Sequence, residues 1–191
     1  MGGRIGQSIG GSGGGGGSSS VEISAAVANY QSTNFDAINN ELRYDKPDKY
    51  KDIISAMDKA SIDVTSDKVY RGLGSDFTKE IANKYGVKDV NDINELKSKL
   101  IGKTIKDKGY MSTTRDLKTA GDFARDKGTG KTTVMQISGK KKGIEVDKHV
   151  KNYRARQEKE FIIKRGTKVK ITDVSISKTG KLILYTKIVN E

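Results

Sequence analysis

The 191-residue chain contains no Cys and no Trp, a single Pro and a single His. Without Cys there is no disulfide framework, no thiol nucleophile and no thiolate metal site. One His leaves too few imidazoles for a histidine-rich zinc or iron centre, so no metal is expected. Long apolar runs are missing as well, and none approaches the roughly 20 residues that span a bilayer. Residues 1–20 lack the apolar core of a secretory signal peptide, so the chain as it stands is not expected to leave the cell by the general pathway. Chemistry here must run on carboxylates, hydroxyls, guanidiniums and amines, or on a bound organic cofactor.

What is abundant is unevenly spread. Ten of the 22 Gly fall within residues 1–20, and this low-complexity stretch is expected to form a flexible Gly/Ser-rich tail or linker. Formal net charge is +12, and residues 139–170 alone hold twelve Lys or Arg against four Asp or Glu, a net of +8. Such a segment suits a solvated face, a site for anionic phosphates or a nucleic-acid patch, and composition leaves all three open.

From Val21 onward apolar residues recur at helical spacing: Ile23, Val27 and Tyr30, then Phe35, Ile38 and Leu42. Pro47 opens a second helical stretch with Ile53, Ile54 and Met57 on one stripe. Further helices are expected near 76–85, 89–100 and 116–126, with Asp76 and Asp89 capping the first two. Strands are short and come late: 68–71, 132–138, 160–164, 168–177 and 181–189, the last two joined as a hairpin through Thr179-Gly180. Helices first and antiparallel strands last make the class α+β rather than alternating α/β, with one domain over 21–191.

Gly128-Thr-Gly-Lys-Thr132 invites comparison with a phosphate-binding P-loop, but Arg125 stands where that pattern needs its first Gly. The context is also reversed, with a helix before and a strand after, so the segment reads as a turn. Three other motifs carry chemistry. Val69-Tyr-Arg-Gly-Leu-Gly74 puts Arg71 at a strand end beside glycines, where a guanidinium can grip phosphate oxygens bidentately. Gly109-Tyr-Met-Ser-Thr-Thr114 is a short strand with three consecutive hydroxyls. In Arg156-Gln-Glu-Lys-Glu-Phe-Ile-Ile163 an extended strand would point Glu158 and Glu160 to one face, roughly 7 Å apart, with Phe161 and Ile163 toward the core. Taken singly, each motif also fits an ordinary surface strand or ion pair.

Together and in this order, the three motifs resemble the mono-ADP-ribosyltransferases. They are most similar to the arginine-modifying clade of bacterial and phage toxins, whose hallmarks are Arg, Ser-Thr-Ser and Glu-x-Glu. Ile38-Asn-Asn-Glu-Leu-Arg43 looks like that family's helix before the arginine strand, and Glu160-Phe-Ile-Ile-Lys-Arg-Gly-Thr167 like its closing strand. Thr114 replaces the usual Ser, and Gly72 stands where a second arginine often follows in related toxins.

The resemblance implies N-terminal helices packed on two short antiparallel or mixed sheets flanking an NAD cleft, with NAD consumed as a substrate. It gives Glu160 the role of stabilising the cation that develops as nicotinamide leaves, with Ser112 orienting it. Arg71, Gly72, Ser112, Thr113, Asn39 and the aromatic Phe123 would bind NAD. Glu158 would orient and deprotonate a target arginine, with Tyr153 beside it. The implied partner is a protein bearing a reactive arginine, together with a delivery component. The setting would be a secreted or delivered effector, or a phage-associated protein, in a host cytoplasm. Modification of a nucleic-acid base and a catalytically weak binding module of the same fold are the alternatives. A plain nucleic-acid-binding domain is disfavoured by only 6% aromatic residues and no stacking motif.

Overall fold

The apolar spacing that starts at Val21 folds as two helices, α1 (Ser20–Asn29) and α2 (Phe35–Arg43), joined without a break by a π-helical turn at Tyr30–Asn34. The computed structural model describes residues 20–189 except 47–48, 66–67, 127, 129 and 152–156. The flexible character expected of the glycine-rich segment, Pro47 as a helix opener and the placement of Tyr153 therefore lie outside the described residues. Helix α3 (Lys51–Ala60) carries the expected stripe, with Ile54 and Met57 buried. These helices bury Val27, Tyr30, Ile38 and Met57 against Ile144 and Ile162 of the sheet and Tyr110 just ahead of β4. Each such side chain contributes about 1.5–3 kcal/mol on removal from water.

The chain continues through β1 (Ile62–Val64), β2 (Val69–Leu73), α4 (Ser75–Tyr85), α5 (Ile93–Leu100), β3 (Thr104–Lys106), β4 (Met111–Thr114) and α6 (Leu117–Phe123). It ends with β5 (Thr133–Ser138), β6 (Lys141–Glu145), β7 (Glu160–Ile163), β8 (Lys168–Ile176) and β9 (Leu182–Val189). The described strands form one ladder in the order β1-β6-β7-β4-β2-β5-β9-β8-β3. Its two halves meet at β2, which pairs with β5 over five residues but with β4 through Tyr70 and Thr114 alone. The two sheets expected from sequence are thus two wings hinged along one thin seam. The wing from β5 to β3 packs against α4 and α5 through Ile81, Leu96, Leu100, Ile137, Ile171 and Leu184. The class is α+β, as expected, and β5–β9 is the parallel pair in an otherwise antiparallel sheet.

Local details depart from the sequence reading. Helix α4 starts directly off β2 with Gly74 as its N-cap and no side-chain cap, and Asp76 sits inside its first turn. Asp92, not Asp89, caps α5, accepting from the amides of Asn94 and Glu95. The Glu95 carboxylate reaches back to the amides of Lys88 and Asp89, while Asp89 accepts from Asn91, so residues 88–92 close as a separate turn. Strand β6 reads as polar but is internal to the sheet. A Cβ at Gly143 would come within 2.3 Å of the Ile162 carbonyl, so a side chain there would force β6 away from β7.

Candidate active site

Where the two wings part, a cleft of about 570 Å³ opens between the N-terminal helices, β2, β4 and the start of β7. Its size is that of a small-molecule site. Asn39, Arg71, Gly72, Ser112, Thr113, Phe123, Glu158 and Glu160 line it, although they come from five separate stretches of the chain.

Arg71 projects from β2 and is held by Asp107 (Nη1–Oδ2 3.4 Å). Asp107 also accepts two hydrogen bonds from Arg43 of α2, at 2.8 and 2.7 Å, and a third from the Gly109 amide at 2.9 Å. Burial pushes the Asp107 carboxyl up, but the Arg43 hydrogen bonds and the charges of both arginines outweigh it and hold the group below its ordinary value. Burial lowers the Arg71 guanidinium from its ordinary value, with Asp107 opposing. The result is a pair of guanidiniums braced from behind by one carboxylate, a suitable cradle for a pyrophosphate.

Tyr30, from the π turn, lies near the centre of the site. Its hydroxyl accepts from Asn39 Nδ2 at 2.9 Å and is hydrogen-bonded with Ser112. Burial raises its pKa, opposed by Ser112, Asn39 and Arg71. Asn39 is also fixed from its other end, its Oδ1 accepting from the Tyr110 amide at 2.8 Å. Next along the turn, Gln31 donates from Nε2 to Glu160 Oε2 at 2.9 Å.

The Glu-x-Glu geometry differs from the extended strand expected. Strand β7 starts only at Glu160. Glu158 lies in a helical turn ahead of it, and Lys159 between them adopts a left-handed φ of 45°. Both carboxylates still line the cleft. The turn is held by Thr114, whose hydroxyl donates to the Glu158 carbonyl at 2.5 Å and accepts from the Asp116 amide at 3.0 Å. Thr113, which lines the cleft, donates to the Phe161 carbonyl at 2.5 Å and so ties β4 to β7. The hydroxyl strand therefore uses Ser112 toward the cleft network and its two threonines to brace the loop and strand that carry the glutamates.

Gly72, which lines the cleft, also has a packing role that the sequence did not announce. A Cβ there would lie 2.1 Å from the Ala120 carbonyl and 2.5 Å from the Ala124 amide. Glycine is required because α6 packs onto β2, and that packing delivers Phe123, 52% exposed, to the cleft mouth. Sequence reasoning missed Tyr30, Gln31 and Asp107 and assigned no role to Arg43. The apolar stripe did contain Tyr30, but no local motif marks Asp107, which meets Arg43 across 64 residues.

Four of the twelve basic residues of the 139–170 segment are engaged within the fold as follows. Arg165 pairs with Asp58 at 2.8 Å, Lys140 with Asp63 at 3.2 Å, and Lys148 with Glu145. Lys141 is buried, its amine donating to the Gly139 carbonyl at 3.0 Å. Among the described residues no group of acidic, His or Cys side chains is placed to hold a metal ion. No helix there is long and apolar enough to cross a membrane.

Comparison with known proteins bears on the same cleft. The profile of the family described as ADP-ribosyltransferase exoenzyme matches residues 18–190. C3stau2 from S. aureus, solved with NAD, is similar over 89% of this chain and 87% of its own, with TM-score 0.62 and 19% identity. Plx2a, an ADP-ribosyltransferase toxin from Paenibacillus larvae, is similar over 88% and 86%, with TM-score 0.61 and 21% identity. The ADP-ribosyltransferase Vis in complex with agmatine is similar over 88% and 74%, with TM-score 0.59 and 15% identity. At these identities the structural likeness is one of fold. A search of curated proteins by sequence finds no match.

Proposed function

The chain belongs to the ADP-ribosyltransferase exoenzyme family, and from that premise we propose that it transfers ADP-ribose from NAD to an arginine side chain of a target protein, releasing nicotinamide. Mono-ADP-ribosyl transfer with NAD as substrate is the activity of the family. The arginine acceptor is the finer reading, and the observation that carries it is the pair of carboxylates, Glu158 and Glu160, facing one cleft that Arg71 and Ser112 also line.

In this reading Arg71 and Arg43 grip the pyrophosphate while Asp107 keeps the two guanidiniums side by side. Asn39 and Phe123 flank the dinucleotide, and Ser112 with Tyr30 forms the polar wall beside its ribose. The bond between the ribose C1′ and the nicotinamide nitrogen breaks, with its electron pair going to the leaving ring. Positive charge develops on the ribose, as in glycoside cleavage. Glu160 stabilises that charge from a fixed position, which is where preorganised electrostatics is most effective. A guanidinium nitrogen of the acceptor then attacks C1′ and gives up a proton to Glu158. A guanidinium is protonated at any ordinary pH, so a carboxylate within reach is what makes it a nucleophile. Agmatine, bound by the relative Vis, carries the same guanidino group, which supports an acceptor of this chemistry.

The protein would act as a secreted or delivered effector on a host protein, with a separate delivery component bringing it there. Incubation with labelled NAD and cell lysate, followed by mass mapping of the modified residue, tests the acceptor. Glu158→Gln should lose arginine transfer while retaining appreciable NAD hydrolysis, and Glu160→Gln should lose both. Full NAD cleavage by the Glu160 variant, or label confined to nucleic acid, would refute this reading.

A further inference from the structure

Gln31 belongs to none of the three motifs, yet its side-chain amide donates directly to Glu160 Oε2 at 2.9 Å, across 129 residues of sequence. We propose that Gln31 is a positioning residue for Glu160. The proposal rests on the reading of Glu160 as the carboxylate beside the reacting ribose.

The geometry of the turn supplies the first argument. On an uninterrupted α-helix, positions five apart such as Tyr30 and Phe35 lie about 140° out of step. Gln31, Phe35 and Asn39 are spaced four apart and share a face on either helix, while the wide turn at Tyr30–Asn34 brings Tyr30 onto that face, so all four line the cleft. Single π turns of this kind recur at functional sites. This one is stapled across its span by Asn34 Nδ2 donating to Asn29 Oδ1 at 2.7 Å. Gln31 is thus carried on a braced segment rather than on a free helix end.

The chemistry of the donor supplies the second. A carboxylate that stabilises a developing cation must keep its rotamer and its negative charge together. A Lys or Arg donor would fix the rotamer but offset the charge. A neutral amide fixes the rotamer and leaves the charge in place, and a carboxylate oxygen with two lone pairs can accept from it and still accept elsewhere. Titratable groups that share the cleft with Glu160 include Tyr30 of the π turn, Arg43 of α2, Arg71 of β2 and Glu158 ahead of β7. Gln31 is a neutral donor set among them.

The test uses the full chain and NAD hydrolysis, measured as kcat and KM across pH, with Glu160→Gln as the reference. Gln31→Met keeps length and removes the donor. It should lower kcat by about tenfold or more with KM for NAD within about twofold, the split expected when a reacting group is misplaced but ground-state binding is kept. Loss of a hydrogen bond to the charged form should also move the acidic limb of kcat/KM upward. Gln31→Lys should move that limb downward while still lowering kcat. Two results would overturn the proposal while leaving the site reading intact: Gln31→Met with wild-type kcat and acidic limb beside an inactive Glu160→Gln, or Gln31→Met losing activity with an unmoved acidic limb and a lowered Tm. A fully active Glu160→Gln would overturn both.

Discussion

Asp107 shows what a single residue contributes to this site. It accepts from Arg43, from the Gly109 amide and from Arg71, so one carboxylate sets the spacing of two guanidiniums that would otherwise repel. Asp107→Asn keeps the shape and removes the charge. KM for NAD should rise by about tenfold or more, with kcat changing less, since a partly buried charged partner is lost from the binding cradle. Titration of NAD by steady-state kinetics checks this. The same carboxyl carries a pH signature. Its folded pKa lies below the ordinary 3.8, so its stabilisation is complete above that value and is lost as pH falls through the lower folded one. Acid denaturation of Asp107→Asn should lack that component below pH 3.8, which equilibrium unfolding at several acidic pH values will reveal.

At the scale of elements, the close packing of α6 on β2 decides where the cleft mouth lies. Gly72 permits an approach that any Cβ would block, with Ala120 and Ala124 of the opposing segment fully buried beside it. Gly72→Ala should therefore destabilise the protein by about 1–3 kcal/mol through overpacking, seen as a lowered Tm. It should also raise KM for NAD, because α6 must lift and carry Phe123 with it. The π turn is the other element-scale device. Apolar spacing from Ile23 to Leu42 announced helix on both sides of it, while the change of phase is visible only once Tyr30 and Phe35 are seen facing one cleft.

Across the whole molecule, the family match spans residues 18–190, which places nearly all of the glycine-rich segment outside the matched region. A chain trimmed to residues 18–191 should keep NAD hydrolysis within about twofold of the full chain, because the family match does not extend into the residues removed. Kinetics on the two chains side by side checks this, and loss of activity on trimming would assign the segment a catalytic part. The thin seam between β2 and β4 is likewise a property of the whole. It lets two wings of one sheet diverge and leaves a cleft into which strand ends from both wings project.

Legibility follows from the range of the interactions involved. Arg71, Ser112, Glu158 and Glu160 could be picked out because each stands in a short motif whose residue types declare their chemistry. The α+β class followed from local periodicity, and the Cys-free, His-poor composition already pointed to a site of guanidiniums, hydroxyls and carboxylates. The roles of Asp107, Gln31, Gly72 and the two threonines were hidden, because each acts on a partner far along the chain. The left-handed Lys159 that turns Glu158 out of the strand was hidden for a related reason: Thr114 fixes that turn from another strand. Sequence by itself determined which functional groups the protein possesses and the secondary structure of the long periodic segments. Only the tertiary structure decided which of those groups meet and which are merely braces, because hydrogen bonds and close packing depend on distances that the chain sets only after it has folded.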